Sequence, residues 1–249
     1  MSWLDQITGE MLKNLPVDAF TDRTFGFGDI KRVIDLTEKA VDQSTAEATE
    51  AGRERARKAA ANPFHDFVKN PVFAPMGAEL WTVSTTFPRI LRSALLVAIY
   101  SHTEFLLLSW CETLAKGLSL PDAFTSKLKS ESFLQRYLRF MRDDGGFALG
   151  DFGAWAEWGP VDAYRRGRNC LAHNGGIVKE RDRATLAALP NIEIDETGLQ
   201  VSGPLLHLLP GACDGAADAC KAFIGRIVDV AESDPRGDLP LSEDAAGTE

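Results

Sequence analysis

The chain has 249 residues, of which 45% are hydrophobic and 25% are charged, and its formal net charge is −9. This composition is typical of a globular protein and argues against one that coats nucleic acid without specificity, since such proteins carry a basic surface. Residues 191–249 hold 12 acids and 3 bases, whereas residues 1–190 hold 24 of each. The acidity therefore belongs to the C-terminal quarter of the chain.

The chain starts without a basic segment followed by an apolar run, so no secretory signal is apparent. The most apolar stretch, 93–108, is interrupted by His102 and Glu104 and falls short of the roughly 20 apolar residues that a membrane span needs. The four cysteines lack metal-binding spacing, and Cys213 and Cys220 would lie about 10 Å apart on a helix, too far for a disulfide. We expect a cytoplasmic protein without a membrane contact, metal or cofactor.

The N-terminal third is predicted to be helical. Residues 2–15 have apolar residues at helical spacing, and Asp29 resembles the N-cap of a long helix that ends near Ala61. Beyond Val41 the apolar stripe gives way to alanines and charges, so this part either projects into solvent or packs on a partner. Asn62-Pro63 ends the helix and begins an irregular connection of about 20 residues.

Three helices are predicted in the middle of the chain. The first, from about Thr86 to Gly117, is apolar almost all round and is expected to be the central helix. The second covers about 124–141 and ends at an Asp-Asp-Gly-Gly sequence. An aromatic loop follows, and the third helix runs from Gly159-Pro160 to Asn174-Gly175-Gly176, a typical left-handed C-cap.

The remaining residues change their hydrophobic period. Residues 191–203 alternate around Glu196-Thr197-Gly198, which predicts a hairpin, and a last helix covers about 212–232. We predict an all-α fold, a helical bundle with a small β-hairpin insertion and an N-terminal helical extension. Its parts are an extension with a long charged helix (1–84), the bundle (85–232) and an acidic tail expected to be disordered (233–249).

One segment carries residues suited to chemistry, Tyr164-Arg165-Arg166-Gly167-Arg168-Asn169-Cys170-Leu171-Ala172-His173-Asn174. It resembles the signature of the HEPN superfamily, an Arg followed by a polar residue and by a His four to six positions after the Arg. Arg168, Asn169 and His173 match in order. The bare spacing is weakly specific; the polar residue, the helix end and the all-helical chain add to it. The resemblance covers about 85–232.

The resemblance implies a bundle of HEPN type and a metal-independent endoribonuclease with Arg168, Asn169 and His173 as catalytic residues. It also implies a homodimer in which two motifs form one composite cleft, because one His cannot easily act as both base and acid. Such proteins include toxins and anti-phage defence effectors, and an antitoxin or regulatory partner would restrain them. Glu104, on the central helix, is expected to support the motif arginine.

Helical geometry adds an independent expectation. Arg166, Asn169 and His173 share one stripe, whereas Arg168 lies on the stripe of Val161 and Tyr164 and must reach round or emerge at an interface. Arg166 is a rival for the motif arginine or a supporting residue. An always-charged guanidinium suits a phosphate that gains charge, and a His at a helix C-terminus, where the macrodipole favours the cationic ring, suits proton transfer.

Non-catalytic alternatives stay open. Arg168 and His173 could be a helix-terminal Arg and a capping His, and the chain could be a HEPN-like dimerisation or scaffolding module in a larger assembly. Trp155 and Trp158 could stack on bases or simply pack. Residues 124–142 and 160–183 have net charges of +4 and +3, which permits a basic RNA cleft that the acidic tail could cover.

Overall fold

The computed structural model describes residues 26–60, 81–117, 132–196 and 203–233. Six α-helices and two strands lie in this part of the chain, together with a π-helical turn (Thr82–Thr86) and a 3₁₀ turn (Phe152–Ala154). The helices and strands are α1 (Phe27–Ala60), α2 (Phe87–Gly117), α3 (Phe133–Asp143), α4 (Trp158–Asn174), α5 (Glu180–Ala187), β1 (Ile192–Asp195), β2 (Leu205–Leu208) and α6 (Ala212–Glu232). The expectation of an all-α protein with one small hairpin is confirmed at this level.

Helix α1 packs into the bundle with its first half only. Phe27, Ile30, Ile34 and Val41 are buried, and Phe27, Ile30 and Ile34 belong to the same core cluster as residues of α2, α4 and α6. No described side chain of α1 beyond Ser44 is buried. The first half of α1 thus shares a core with the predicted bundle. The predicted domain boundary at residue 84 stays a prediction. The expected helix at 2–15 and the connection after Ala60 lie outside the described residues.

Helix α2 lies at the centre of the bundle and contacts α1, α3, α4, α6 and β2. Leu96, Ile99 and Leu107 lie on its fully buried face, but Ile90 and Phe105 on the opposite face are 54% and 55% exposed. The composition of the helix, apolar almost all round, suggested that it is enclosed on all sides. The structure shows instead that one of its faces is exposed. The continuous helical run Thr82–Lys116 is also long and apolar enough to cross a membrane, a test that the core helix of a soluble protein also passes.

The helices around the motif start and end at clear local signals. Helix α3 begins at Phe133, after the N-cap Ser132, whose side chain forms a reciprocal capping box with Gln135. The expectation of one helix from about 124 to 141 was therefore wrong, because the capping box starts a new helix at this point. Helix α4 ends at Gly175 in the left-handed conformation (φ 59°), and the N–H of Gly176 donates to the carbonyl of Cys170 at 3.0 Å. The predicted C-cap of the motif helix is confirmed.

Two expectations for the segment after the motif were wrong or incomplete. Helix α5 (Glu180–Ala187) was not predicted, and the hairpin pairs β1 with 205–208 instead of 199–201, with Ile192 opposite Leu208. A tight turn at Glu196-Thr197-Gly198 would join strands directly after it, but the strands are separated by residues 196–204. Leu206 and Leu208 turn inward and bury against the bundle, which selects the later strand. Helix α6 has the bounds expected of it.

Candidate functional site

The predicted motif lies on the last two turns of α4, where the helix changes from a packed to an exposed element. Val161, Tyr164 and Cys170 are buried against the rest of the bundle. Arg168 is half-buried at the edge of this packed face, and His173 is exposed close to the helix C-terminus. The α-helical repeat therefore puts Arg168 next to the core and His173 in solvent, as their spacing of five residues requires.

The guanidinium of Arg168 brings the three motif residues together. Its Nη1 donates to Asn169 Oδ1 at 2.9 Å and approaches His173 Nε2 at 3.4 Å. The long side chain thus leaves the packed stripe and reaches round the helix to the stripe that carries Asn169 and His173. Motif residues on different faces of one helix form a single contact group.

The contact between Arg168 and His173 constrains the imidazole. A guanidinium only donates hydrogen bonds, so a hydrogen bond from Nη1 to Nε2 requires the tautomer in which Nε2 carries the lone pair. Because that single lone pair faces Arg168, Nε2 can accept a proton from another group only when this contact opens.

Arg168 has one hydrogen-bond donor that no described residue satisfies. Its Nε is buried and has no acceptor in the described part of the structure. An unsatisfied buried donor costs about 1–3 kcal/mol, more for a charged group, so it calls for an acceptor such as a water, an ion or a ligand. An acceptor that arrives with a ligand, such as a phosphate oxygen, would remove this cost.

Glu104 of α2 lies close enough to the motif arginine to interact with it electrostatically. Burial of its half-exposed carboxyl raises its pKa above the usual value, while Arg168 and Arg165 lower it. No hydrogen bond joins Glu104 to Arg168. The structure therefore brings the predicted supporting acid to the motif, and its supporting role stays a prediction.

Arg166 lies apart from the other motif residues. Its Nε donates to Asp162 at 2.9 Å and its Nη1 to Asp182 of α5 at 2.8 Å, and these bonds raise its pKa. Although Arg166 shares a helical stripe with Asn169 and His173, its guanidinium is committed to linking α4 to α5. Asp162 four residues earlier was a sequence signal for this link, whereas Asp182 lies on a helix that was not predicted.

The surface around the motif is less basic than its composition suggests. Most bases of 160–183 form ion pairs with nearby acids, namely Arg165, Arg166, Arg181 and Arg183. Arg168 and Lys179 have no ion-pair partner among the described residues. The unpaired positive charge of this segment therefore comes from Arg168, beside the imidazole of His173, and from Lys179.

Other candidate sites receive little support. Among the described residues, no group of three His, Cys, Asp or Glu side chains could hold a metal ion, and all four cysteines are buried free thiols. Trp155 and Trp158 contact the ring of buried Phe223 with centroids 6.2 and 6.0 Å apart, so packing accounts for them better than base stacking. His102 packs edge-on against Phe27.

Comparison with known proteins identifies no relative, since no family model, curated protein or solved structure matches the chain significantly. The likeness to the HEPN superfamily consequently depends on residues of this chain alone.

Proposed function

We propose that this chain is a metal-independent endoribonuclease of HEPN type. The observation that carries the proposal is the Arg168 guanidinium, which contacts both Asn169 and His173 and keeps a buried Nε donor without an acceptor. This arrangement offers a positive charge, a free N–H and an imidazole within a few ångströms of one another. These groups suit RNA cleavage by an internal hydroxyl.

The reaction begins at a ribose 2′-hydroxyl. The guanidinium of Arg168 turns from His173 Nε2 to the phosphate, which frees Nε2 to remove the hydroxyl proton while O2′ forms a bond to the adjacent phosphorus. Arg168 then stabilises the extra negative charge of the pentacoordinate phosphate. The bond from phosphorus to O5′ then breaks, and an acid protonates the departing oxygen. The products are a 2′,3′-cyclic phosphate and a 5′-hydroxyl end. Asn169 orients the guanidinium through its Oδ1.

The acid that protonates O5′ is expected from a second protomer, since His173 is the single imidazole of the contact group. The exposed face of α2 supports such a homodimer, because Ile90 and Phe105 are exposed there and Glu104 borders it beside Arg168. The composite cleft would contain two copies of the motif. A toxin or anti-phage defence effector of this kind would need an antitoxin or regulatory partner to restrain it.

The proposal is tested with the full-length protein, a mixed RNA pool and EDTA. We expect wild type to leave 2′,3′-cyclic phosphate ends, and Arg168→Ala and His173→Ala each to slow cleavage by about 10²–10³-fold. Arg181→Ala is the matched control, because Arg181 is an exposed arginine outside the contact group. Arg166→Ala should keep cleavage; a loss equal to that of Arg168→Ala would make Arg166 the motif arginine.

A second candidate is a non-catalytic HEPN-like dimerisation or scaffolding module. Ile90 and Phe105, the large apolar side chains exposed on α2, favour it, since exposed apolar side chains are suited to an interaction site whether or not catalysis takes place. The RNA experiment separates the two candidates. The non-catalytic module becomes the better account if wild type and both motif variants are equally inert on every RNA. This result must hold both for the protein alone and with cellular partners added.

A further inference from the structure

A groove lies between the second half of α1 and the start of α2, away from the motif. It has a volume of about 750 Å³, and its walls are one face of α1 together with Ser84, Pro88, Arg92 and Pro210. Arg92 is buried and committed to Glu38, which it contacts at 2.6 and 2.8 Å. Its charge is therefore unavailable, and the character of the groove depends on α1.

The α1 wall of the groove has opposite charges at its two ends. Asp42 stands at one end and Arg53 at the other, and the wall residues between them are Thr45, Ala46, Thr49 and Glu50. The twelve residues from Asp42 to Arg53 span about 17 Å of helix. The hydroxyl of Thr49 donates to the carbonyl of Thr45 at 2.7 Å, so its proton is already satisfied within α1.

Neither terminal charge of this wall is engaged firmly. Asp42 is exposed and has no hydrogen bond or ion pair among the described residues. Arg53 meets Glu50 only at 3.6 Å, with the two side chains 68% and 60% exposed. An exposed pair of this kind contributes little, so Arg53 is available to a better-placed carboxylate.

We propose that the groove is the docking site for α1 of a second copy of this chain, with the two helices antiparallel. Reversing the direction of the same helix places Asp42 of each copy opposite Arg53 of the other, so the contact is self-complementary about a two-fold axis. Thr45, Ala46 and Thr49 lie at the axis, and their small size permits close approach. This inference does not rest on RNA cleavage.

The test measures the weight-average mass of the full-length chain against concentration by analytical ultracentrifugation. We expect wild type to self-associate, and Asp42→Arg and Arg53→Asp each to weaken this association by about tenfold or more, because each places like charges opposite each other twice. An equimolar mixture of the two variants should recover the wild-type association. In that mixed dimer both pairs again join an arginine to an aspartate.

Recovery on mixing distinguishes contact between chains from damage within one chain, since damaged chains do not repair each other. Glu47→Arg is the matched control, because Glu47 lies on the same helix but outside the groove wall, and it should leave association unchanged. Association through the face of α2 would appear equally in every sample. A mass that is the same in wild type and both variants, or single-variant losses that mixing does not recover, overturns the proposal.

Discussion

The environment of Arg168 differs from that of an ordinary surface arginine. Its Cα lies beside a packed stripe, its guanidinium contacts Asn169 and His173, and its buried Nε lacks an acceptor in the described residues. Glu104 lowers the cost of holding the charge there, because the carboxylate and the guanidinium attract each other. The attraction also lowers the cost of burying Glu104. The protonation state of Glu104 should therefore affect the free energy of unfolding.

Replacing Glu104 with Gln tests this coupling. Burial raises the pKa of Glu104 above its ordinary value of 4.5, even though Arg168 and Arg165 oppose the rise. An acid whose pKa is higher in the folded state binds its proton more tightly there. Its ionisation consequently destabilises the fold as pH rises through the folded pKa, and this cost is absent below pH 4.5. We expect Glu104→Gln to raise Tm at pH 8 by about 1–3 °C and to match wild type near pH 4.

Scanning calorimetry of both proteins from pH 4 to pH 8 gives the comparison. Glu112→Gln is the control, since Glu112 is an exposed acid on the same helix, and it should show no such pH-dependent gain. A Glu104→Gln protein that is less stable than wild type at pH 8 would mean that the attraction to Arg168 outweighs the burial of the carboxyl.

The residues of the site were readable from the motif pattern, but not from helical stripes alone. The motif pattern selected Arg168, Asn169 and His173, and the structure brings them together. Helical stripes alone grouped Arg166 with Asn169 and His173, because backbone geometry does not show where a long side chain ends. Arg166 instead donates to Asp182, which lies on another helix, so this contact depends on tertiary structure.

At the scale of elements, the sequence predicted those with strong local signals. Helix α4 ends at the predicted glycine, and α6 has its expected bounds, because a left-handed glycine and a long apolar stripe are local properties. Helix α5 was missed since, among its eight residues, only Leu186 is buried, so no periodicity marks it. The position of the second strand depends on which pair of apolar residues packs against the bundle. Local sequence alone does not determine that packing.

The pairing of Arg92 with Glu38 joins elements that are distant in sequence. Arg92 of α2 donates twice to Glu38 of α1 and once to the carbonyl of Leu208 of β2. Removing the carboxylate leaves a buried guanidinium without its counter-charge. We expect Glu38→Ala to lower the free energy of unfolding by about 2–4 kcal/mol, measured by urea denaturation.

Two further variants separate this pair from surface charge effects. Arg32→Ala removes the exposed partner of Asp29 on the same helix and should change stability little. Glu38→Leu combined with Arg92→Met removes both buried charges and should cost less than Glu38→Ala, since no ion is left unpaired. A Glu38→Ala loss no larger than that of Arg32→Ala would show that the buried pair is not a structural link.

For the whole molecule, the distribution of charge matters more than its sum. Helices α4 and α6 run antiparallel, because Tyr164 lies against Gly215 near one end and Trp158 against Phe223 near the other. Helix α6 thus ends on the side of the bundle opposite His173. By helical rise, His173 lies ~22 Å from the start of α4, and Glu232 lies ~14 Å further along α6 than Phe223. The end of α6 at Glu232 is therefore roughly 36 Å from His173.

This separation limits how the C-terminal acids can act on RNA. A fully extended chain gains at most ~3.6 Å per residue, so Asp234 and Asp238 cannot reach His173 of their own protomer. Glu243, Asp244 and Glu249 have enough chain to do so, but only when most of the intervening residues are extended. Charges at such distances are screened at 0.15 M salt, where the Debye length is about 8 Å, but much less at 0.01 M, where it is about 30 Å. We expect deletion of residues 233–249 to change RNA affinity less than about twofold at 0.15 M salt and to increase it severalfold at 0.01 M. Fluorescence anisotropy with the His173→Ala protein, which the proposed mechanism makes inactive, measures both affinities. A chain with the acids of 233–249 changed to amides separates charge from length. A large increase at 0.15 M would contradict screening and place those acids directly on the cleft.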